Sequence, residues 1–198
     1  MSPQEDIDPR AREILDLWFG APGSPEFGTE RKLWWKKKRT FDSLLTERFA
    51  ALLETAHAGG LREWERAPLA TLALIVLLDQ FSRNCFRNTP RAFAGDARAL
   101  ALARSLVERG DDLRLPGAYH RAFAYMPFEH DESMQSQRES VRLFGKLKDE
   151  TSVISFYESA LEHAEVIGRF GRFPHRNRIL GRETTPEEEA WLAEHGGF

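Results

Sequence analysis

The stretch Leu69–Asn88, LATLALIVLLDQFSRNCFRN, constrains this chain most. Its first ten residues, Leu69 to Leu78, carry one hydroxyl, Thr71, and no charge. A helix that is apolar all round must be buried on every side. The run is too short for a bilayer, which needs ~20 apolar residues. Asp79 and Arg83 follow it at once, so the stretch predicts a core helix with charge at its end. Buried charge is costly unless paired. The end of this helix is therefore where a site is to be sought, although the residues name no reaction.

Length and composition narrow the class. The 198 residues are the size of one domain, taken here as 1–198, and 41% hydrophobic with 30% charged residues describes an ordinary globular chain. The 14 phenylalanines predict aromatic wedges between helices. A net charge of −3 argues against general affinity for nucleic acid. The lone cysteine, Cys85, allows no disulfide within the chain and points to a reducing compartment. It reads as a small buried apolar residue rather than a reactive thiol. Met1–Arg10 is polar and acidic, with no apolar leader segment. The expectation is a cytoplasmic protein with no membrane span.

In chain order, Asp8-Pro9 predicts a helix start running to Phe19, stopped by Gly20. In Leu33–Asp42, Trp34 and Trp35 stand beside four basic residues; the expectation is that the Trp pair tucks into the core while Lys36–Arg39 are solvated. Phe41–Ala58 predicts a helix with Phe41, Leu44, Leu45, Phe49, Leu52, Leu53 and Ala56 on one stripe. Thr89-Pro90 predicts the start of one helix from Pro90 to Arg109. A short helix is expected near Ala118–Tyr125, broken at Met126-Pro127. Helices over Ser133–Lys148 and Thr151–Phe170 follow, the second with His163 on its buried side, and Thr185-Pro186-Glu187-Glu188 is a capping box. No run alternates with period two. The prediction is an all-α protein of seven to nine helices without a sheet, an array of antiparallel helix pairs.

Asp79-Gln80-Phe81-Ser82-Arg83-Asn84, Met126-Pro127-Phe128-Glu129-His130, and Phe170-Gly171-Arg172-Phe173-Pro174-His175-Arg176-Asn177 resemble three blocks of a bacterial family known as domain of unknown function 924. Leu17-Trp18-Phe19-Gly20, Trp35 with Phe41-Asp42, and Leu180-Gly181-Arg182 are similar to it as well, so the resemblance spans nearly the whole chain. It implies an all-helical, tetratricopeptide-like fold and brings no activity. Ser82, where the family usually has proline, and Asp131, where it usually has serine, are departures; the second makes its corner more acidic.

The candidate binding residues are Asp79, Gln80, Arg83, Asn84, Arg87, Arg172, Arg176 and Asn177. Two readings stand. The arginines lock the C-terminal segment onto the central helix as a buried ion-pair network, or they receive a carboxylate or phosphate in a pocket. His130 or His175 with Glu129 or Glu132 supply the elements of acid–base catalysis. No metal is expected, because neither H-x-x-x-H nor a paired E-x-x-H occurs, and no cofactor motif is present. The leading expectation is a helical scaffold binding an anionic small molecule or peptide. The alternatives are a hydrolase-like enzyme and an interaction adaptor using the concave face of the array. The Gly171–Arg182 segment is expected to fold over the Asp79–Arg87 end, with Asp79 taking an arginine.

Overall fold

The computed structural model describes residues 7–197, and among these every regular element is helical. The start of the polar N-terminal stretch, residues 1–6, lies outside the described residues. Helix α1 (Pro9–Phe19) begins at Asp8, whose Oδ1 accepts the Arg10 N–H at 2.8 Å, and ends at Gly20. It is followed by a single turn, α2 (Lys32–Trp35), and by α3 (Arg39–His57), which buries Leu45, Phe49, Leu53 and Ala56. Leu44, expected on that stripe, is exposed.

The apolar run forms α4 (Pro68–Val76), with residues 70–79 buried and Leu69 partly so. It continues without a break through a π-helical turn, Leu77–Phe81, into α5 (Ser82–Cys85). There the Ser82 N–H bonds the Leu77 carbonyl, five residues back. The widened turn holds Leu77, Leu78, Asp79 and Phe81 all inside, and such π turns recur at functional sites. Helices α1, α6 (Asp96–Glu108) and α7 (Ala118–His130) pack around α4, and α3 lies along the π turn and α5. Beyond them α7 packs on α8 (Met134–Thr151) and α8 on α9 (Ser155–Phe170). Trp18 wedges between Trp34, Phe41, Phe81 and Phe123, its ring centroid 5.4–6.5 Å from theirs. A smaller cluster of Val166, Ile167 and Phe173, with Phe170 and Trp191, joins α9 to α11 (Pro186–His195), which follows the short α10 (Asn177–Leu180). The Thr185–Glu188 capping box is formed.

Three expectations need correction. Pro90–Arg109 is not one helix: a 3-10 turn, Pro90–Phe93, gives way at Gly95 to α6. The chain passes so close to the π turn there that a Cβ on Gly95 would lie 2.6 Å from the Leu78 carbonyl oxygen. Thr89 makes no side-chain cap; its hydroxyl donates to the Phe86 carbonyl. Nor does Pro127 break the chain: α7 runs through it to His130, carried by packing on both neighbours despite the lost backbone donor. Finally, Trp34 packs against the core but Trp35 is 49% exposed.

Candidate functional site

The π turn delivers Asp79 to the inner end of a cleft. Asp79 is 1% exposed; its Oδ1 accepts from His130 Nδ1 at 2.7 Å and forms an ion pair with an Arg83 guanidinium nitrogen 2.9 Å away. Gln80 Nε2 donates to Oδ2 at 2.5 Å. Burial pushes the Asp79 pKa up, but the Arg83 charge and His130 outweigh it and hold the carboxyl ionised, below the usual range. An ionised carboxylate only accepts, so His130 Nδ1 carries the proton of this bond. Burial, aided by Arg83 and Arg176, depresses the His130 pKa against the pull of Asp79. The pair is therefore a carboxylate orienting a neutral imidazole, whose Nε2 is the acceptor and makes no hydrogen bond among the described residues.

Asp96, at the start of α6, completes the inner shell. It takes both terminal nitrogens of Arg83 at 2.9 and 3.0 Å, while Arg83 also donates to the Asp79 carbonyl at 2.6 Å. Burial raises the Asp96 pKa first, with Arg83 opposing. The break at Gly95 starts α6 at this carboxylate. On the other side, Asp42 of α3 holds Arg87 through two 2.9 Å bonds and Asn84 through one of 2.8 Å.

The cleft has two lobes meeting at Arg83, Arg87 and His130. The narrower, about 220 Å³, is closed by Phe93, His175, Arg176 and Ile179. The wider, about 370 Å³, is walled by Leu33, Trp34, Trp35 and Met126, with Gln80, Asn84, Glu129 and Ser159. Lys36, Lys37, Arg83, Arg87 and Arg176 put five cations on the lining, against one carboxyl group, Glu129. Arg176 is sandwiched between the Phe93 and Phe173 rings, 4.8 and 4.6 Å away, and its nearest carboxylate contact is Asp96 at 3.7 Å. Its Nε is buried without a hydrogen-bond partner. Burial, then repulsion from Arg83, brings its pKa down to about 10, so it is still a cation at neutral pH.

Glu129 is 2% exposed. Ser159 Oγ donates to its Oε1 at 2.9 Å, and Oε2 has no partner among the described residues. Burial, with Asp79 and Glu162 adding, pushes its pKa up to about 8, so near neutral pH it carries its proton. His163 Nδ1 donates to the Ser159 carbonyl at 2.8 Å and lies 3.3 Å from Glu129 Oε1. Burial takes the pKa of His163 down to about 3 and that of His175 to about 4, leaving both neutral.

Of the sequence-derived candidates, Gln80, Arg83, Asn84, Arg87, Glu129, His130, His175 and Arg176 line the cleft, with Asp79 behind them. Three are committed elsewhere. Glu132 accepts two bonds from Arg182 and one from the Phe173 N–H, and acts on His175 through its charge, which opposes the lowering of that pKa by burial. Arg172 is bound to Glu188, and Asn177 to Glu188 and Thr184. The Gly171–Arg182 segment does reach the Asp79–Arg87 end, through His175 and Arg176, but the arginine that Asp79 takes is Arg83. Sequence reasoning missed Asp96, Lys37 and Ser159; His163, expected on the buried side of its helix, is buried and hydrogen-bonded there, and it lines the cleft as well. Ser82, the departure from the family pattern, has its hydroxyl 3.0 Å from His57 Nε2. Among the described residues no group of three or more His, Cys, Asp or Glu side chains is placed to hold a metal.

Fold and site define an all-α protein with a basic, histidine-lined cleft at a π turn in its central helix. The chain belongs to the family described as bacterial protein of unknown function (DUF924), which matches residues 14–196. It is similar to the solved structure of a protein of unknown function from Agrobacterium tumefaciens, with 37% identity, a TM-score of 0.82, and coverage of 94% of this chain and 98% of that one. No curated protein matches. No helix among the described residues is long and apolar enough to cross a membrane.

Proposed function

We propose that the cleft binds a small anionic molecule, a carboxylate or a phosphate. The observation that carries this is the imbalance of its lining: five cations, and a single carboxyl that keeps its proton. Asp42, Asp79 and Asp96 stand behind the arginines and orient them, as preorganised anion sites require. Successive packing of α6 on α7, α7 on α8 and α8 on α9 supports a tetratricopeptide-like scaffold around it. The single thiol, Cys85, fits work in the reducing cytoplasm.

The test is thermal unfolding against inorganic phosphate, sulfate and acetate at constant ionic strength. A ligand of the native state raises stability by ~2.7 kcal/mol at a hundred times its Kd. The wild type should be stabilised by at least one of these anions, and Arg176→Gln should lose that response. Indifference of the wild type to all of them removes the proposal.

A second reading, acid–base catalysis, is favoured by the Asp79–His130 pair. A carboxylate fixes the imidazole tautomer and leaves Nε2 as a base beside the anion site. His130→Gln should abolish any turnover of p-nitrophenyl phosphate or p-nitrophenyl acetate while keeping anion-induced stabilisation. Turnover that survives the substitution assigns the activity elsewhere.

A further inference from the structure

The wider lobe is larger than a bare anion needs, and its walls are of the wrong kind for one. Leu33, Trp34, Trp35 and Met126 face the same space as Lys36, Lys37 and Arg87. Trp34 is explained by the core: its ring packs on Trp18 and Phe123, and its indole N–H donates to the Trp18 carbonyl at 2.9 Å. Trp35 is not. It is half-exposed at the rim, its N–H fixed on Glu30 Oε1 at 2.7 Å and its ring tilted against that of Phe156, centroids 5.5 Å apart. An anchored tryptophan that leaves half its surface in water beside cations is a platform awaiting a ring or chain to cover it. At the far side of the lobe, Glu129 holds a buried, unpartnered oxygen. Among the described residues it is the one buried carboxyl oxygen left without a hydrogen bond, and such an atom calls for a partner.

We infer that the ligand is an amphipathic organic anion: its charged head sits among Arg83, Arg87 and Arg176, and its flat apolar body lies in the wider lobe on Trp35. The inference rests on the anion-binding reading and deepens it. The head belongs at the junction of the lobes, where the guanidiniums converge. The body extends away from the charges, displacing water from apolar walls. With its proton on, Glu129 adds no repulsion at the far end. The head's identity, carboxylate or phosphate, does not alter the argument, since the same guanidiniums serve both.

The experiment is isothermal titration of the full chain with four probes: inorganic phosphate, phenyl phosphate, phenylacetate and acetate. Phenyl phosphate should bind at least about tenfold tighter than phosphate, or phenylacetate than acetate, the scale of burying one ring face. Trp35→Ala should erase that ratio while leaving the parent anion's affinity unchanged. Trp35→Phe should keep most of it. Thermal melts of both variants establish that they are folded, which the exposure of Trp35 favours. Equal affinity of ringed and bare anions in the wild type overturns the amphipathic ligand while sparing the anion site. So does a Trp35→Ala variant that weakens both to the same degree. Failure of all four probes to bind removes the anion site as well.

Discussion

The cleft and the C-terminal clamp beside it use the same residue types and finish them differently. In the clamp, Glu132 accepts from both terminal nitrogens of Arg182 and from the Phe173 N–H. Glu188 accepts twice from Arg172, once from Asn177 and once from the Thr185 N–H. Both carboxylates are closed off by donors from their own fold. In the cleft, Arg176 Nε and Glu129 Oε2 are buried without hydrogen bonds, and the His130 Nε2 lone pair is unused. Counting arginines and glutamates does not separate a ligand site from a structural ion pair. What separates them is the carboxyls: Glu132 and Glu188 take donors on both oxygens while Glu129 leaves Oε2 without one, although Arg182 Nε and Asn177 Oδ1 of the clamp are buried without hydrogen bonds as Arg176 Nε is.

Asp79 is where the two kinds meet, since it is saturated itself yet sets the geometry of groups that are not. Asp79→Ala strands Arg83 and His130 in a buried place, and should cost ~3–5 kcal/mol. Urea melts showing a loss below about 1 kcal/mol would mean that the inner shell does not depend on this carboxylate.

The two regions should also titrate with opposite sign. Glu129 faces Ser159, Glu162 and His163 from α9, Asp79 from the π turn and His130 on its own helix. Its folded pKa is raised, from 4.5 to about 8. The native state therefore holds a proton that the unfolded chain has released, and stability falls as pH rises across that window. Glu188 is the reverse. The Arg172 hydrogen bonds lead, burial opposes, and the Thr185 N–H and Asn177 help to bring its pKa down to about 2. Its contribution is present above 4.5 and is lost as pH falls toward 2. Urea melts across pH should show Glu129→Gln flattening the upper slope and Glu188→Gln the lower one. A Glu129→Gln profile parallel to wild type between 4.5 and 8 would show the carboxyl to be ionised throughout.

Much of the scaffold was legible because it follows local rules. The Leu69–Leu78 run announces its own burial, Asp8-Pro9 and Thr185–Glu188 are caps read within four residues, and Asp79 with Arg83 is one helical turn. What was not legible depends on partners far along the chain. His130 meets Asp79 across 51 residues, and Arg87 meets Asp42 across 45. At the break before α6 a neighbouring carbonyl leaves no room for a Cβ on Gly95, a close approach that no feature around Thr89-Pro90 discloses. Continuation of α7 through Pro127 is a tertiary override of a strong local signal. Hence Glu132 was grouped with Glu129 and His130 by proximity in sequence, although Glu132 lies beyond the end of α7 and faces Arg182.

The clamp gives a smaller effect than Asp79. Glu132 and Arg182 are each about a quarter exposed in their side chains, so water screens part of their attraction. Glu132→Ala should cost roughly 1–2 kcal/mol, between the values for exposed and buried pairs. It should leave anion binding intact, because Glu132 is absent from the cleft lining. Loss of the anion response in this variant would mean that the clamp positions Arg176, and the contrast between the regions would blur.

The smallest expected change in stability is at Arg176, and it is the sharpest discriminator. A structural arginine stabilises the fold that surrounds it. Arg176 is instead held beside Arg83, with burial and that repulsion lowering its pKa to about 10. Its lowered pKa means that the folded state disfavours its charge relative to the unfolded chain, so at neutral pH the charge works against folding. Arg176→Met keeps an unbranched apolar stem between Phe93 and Phe173 while deleting the guanidinium. The ligand-free variant should therefore be as stable as wild type or slightly more so, within about 1 kcal/mol, yet gain nothing from the anions that stabilise wild type. Stability given up for an unfilled charge is the mark of a binding site. A loss of ~3 kcal/mol or more in the ligand-free variant would instead make Arg176 a structural ion pair through Asp96, and the cleft a second clamp.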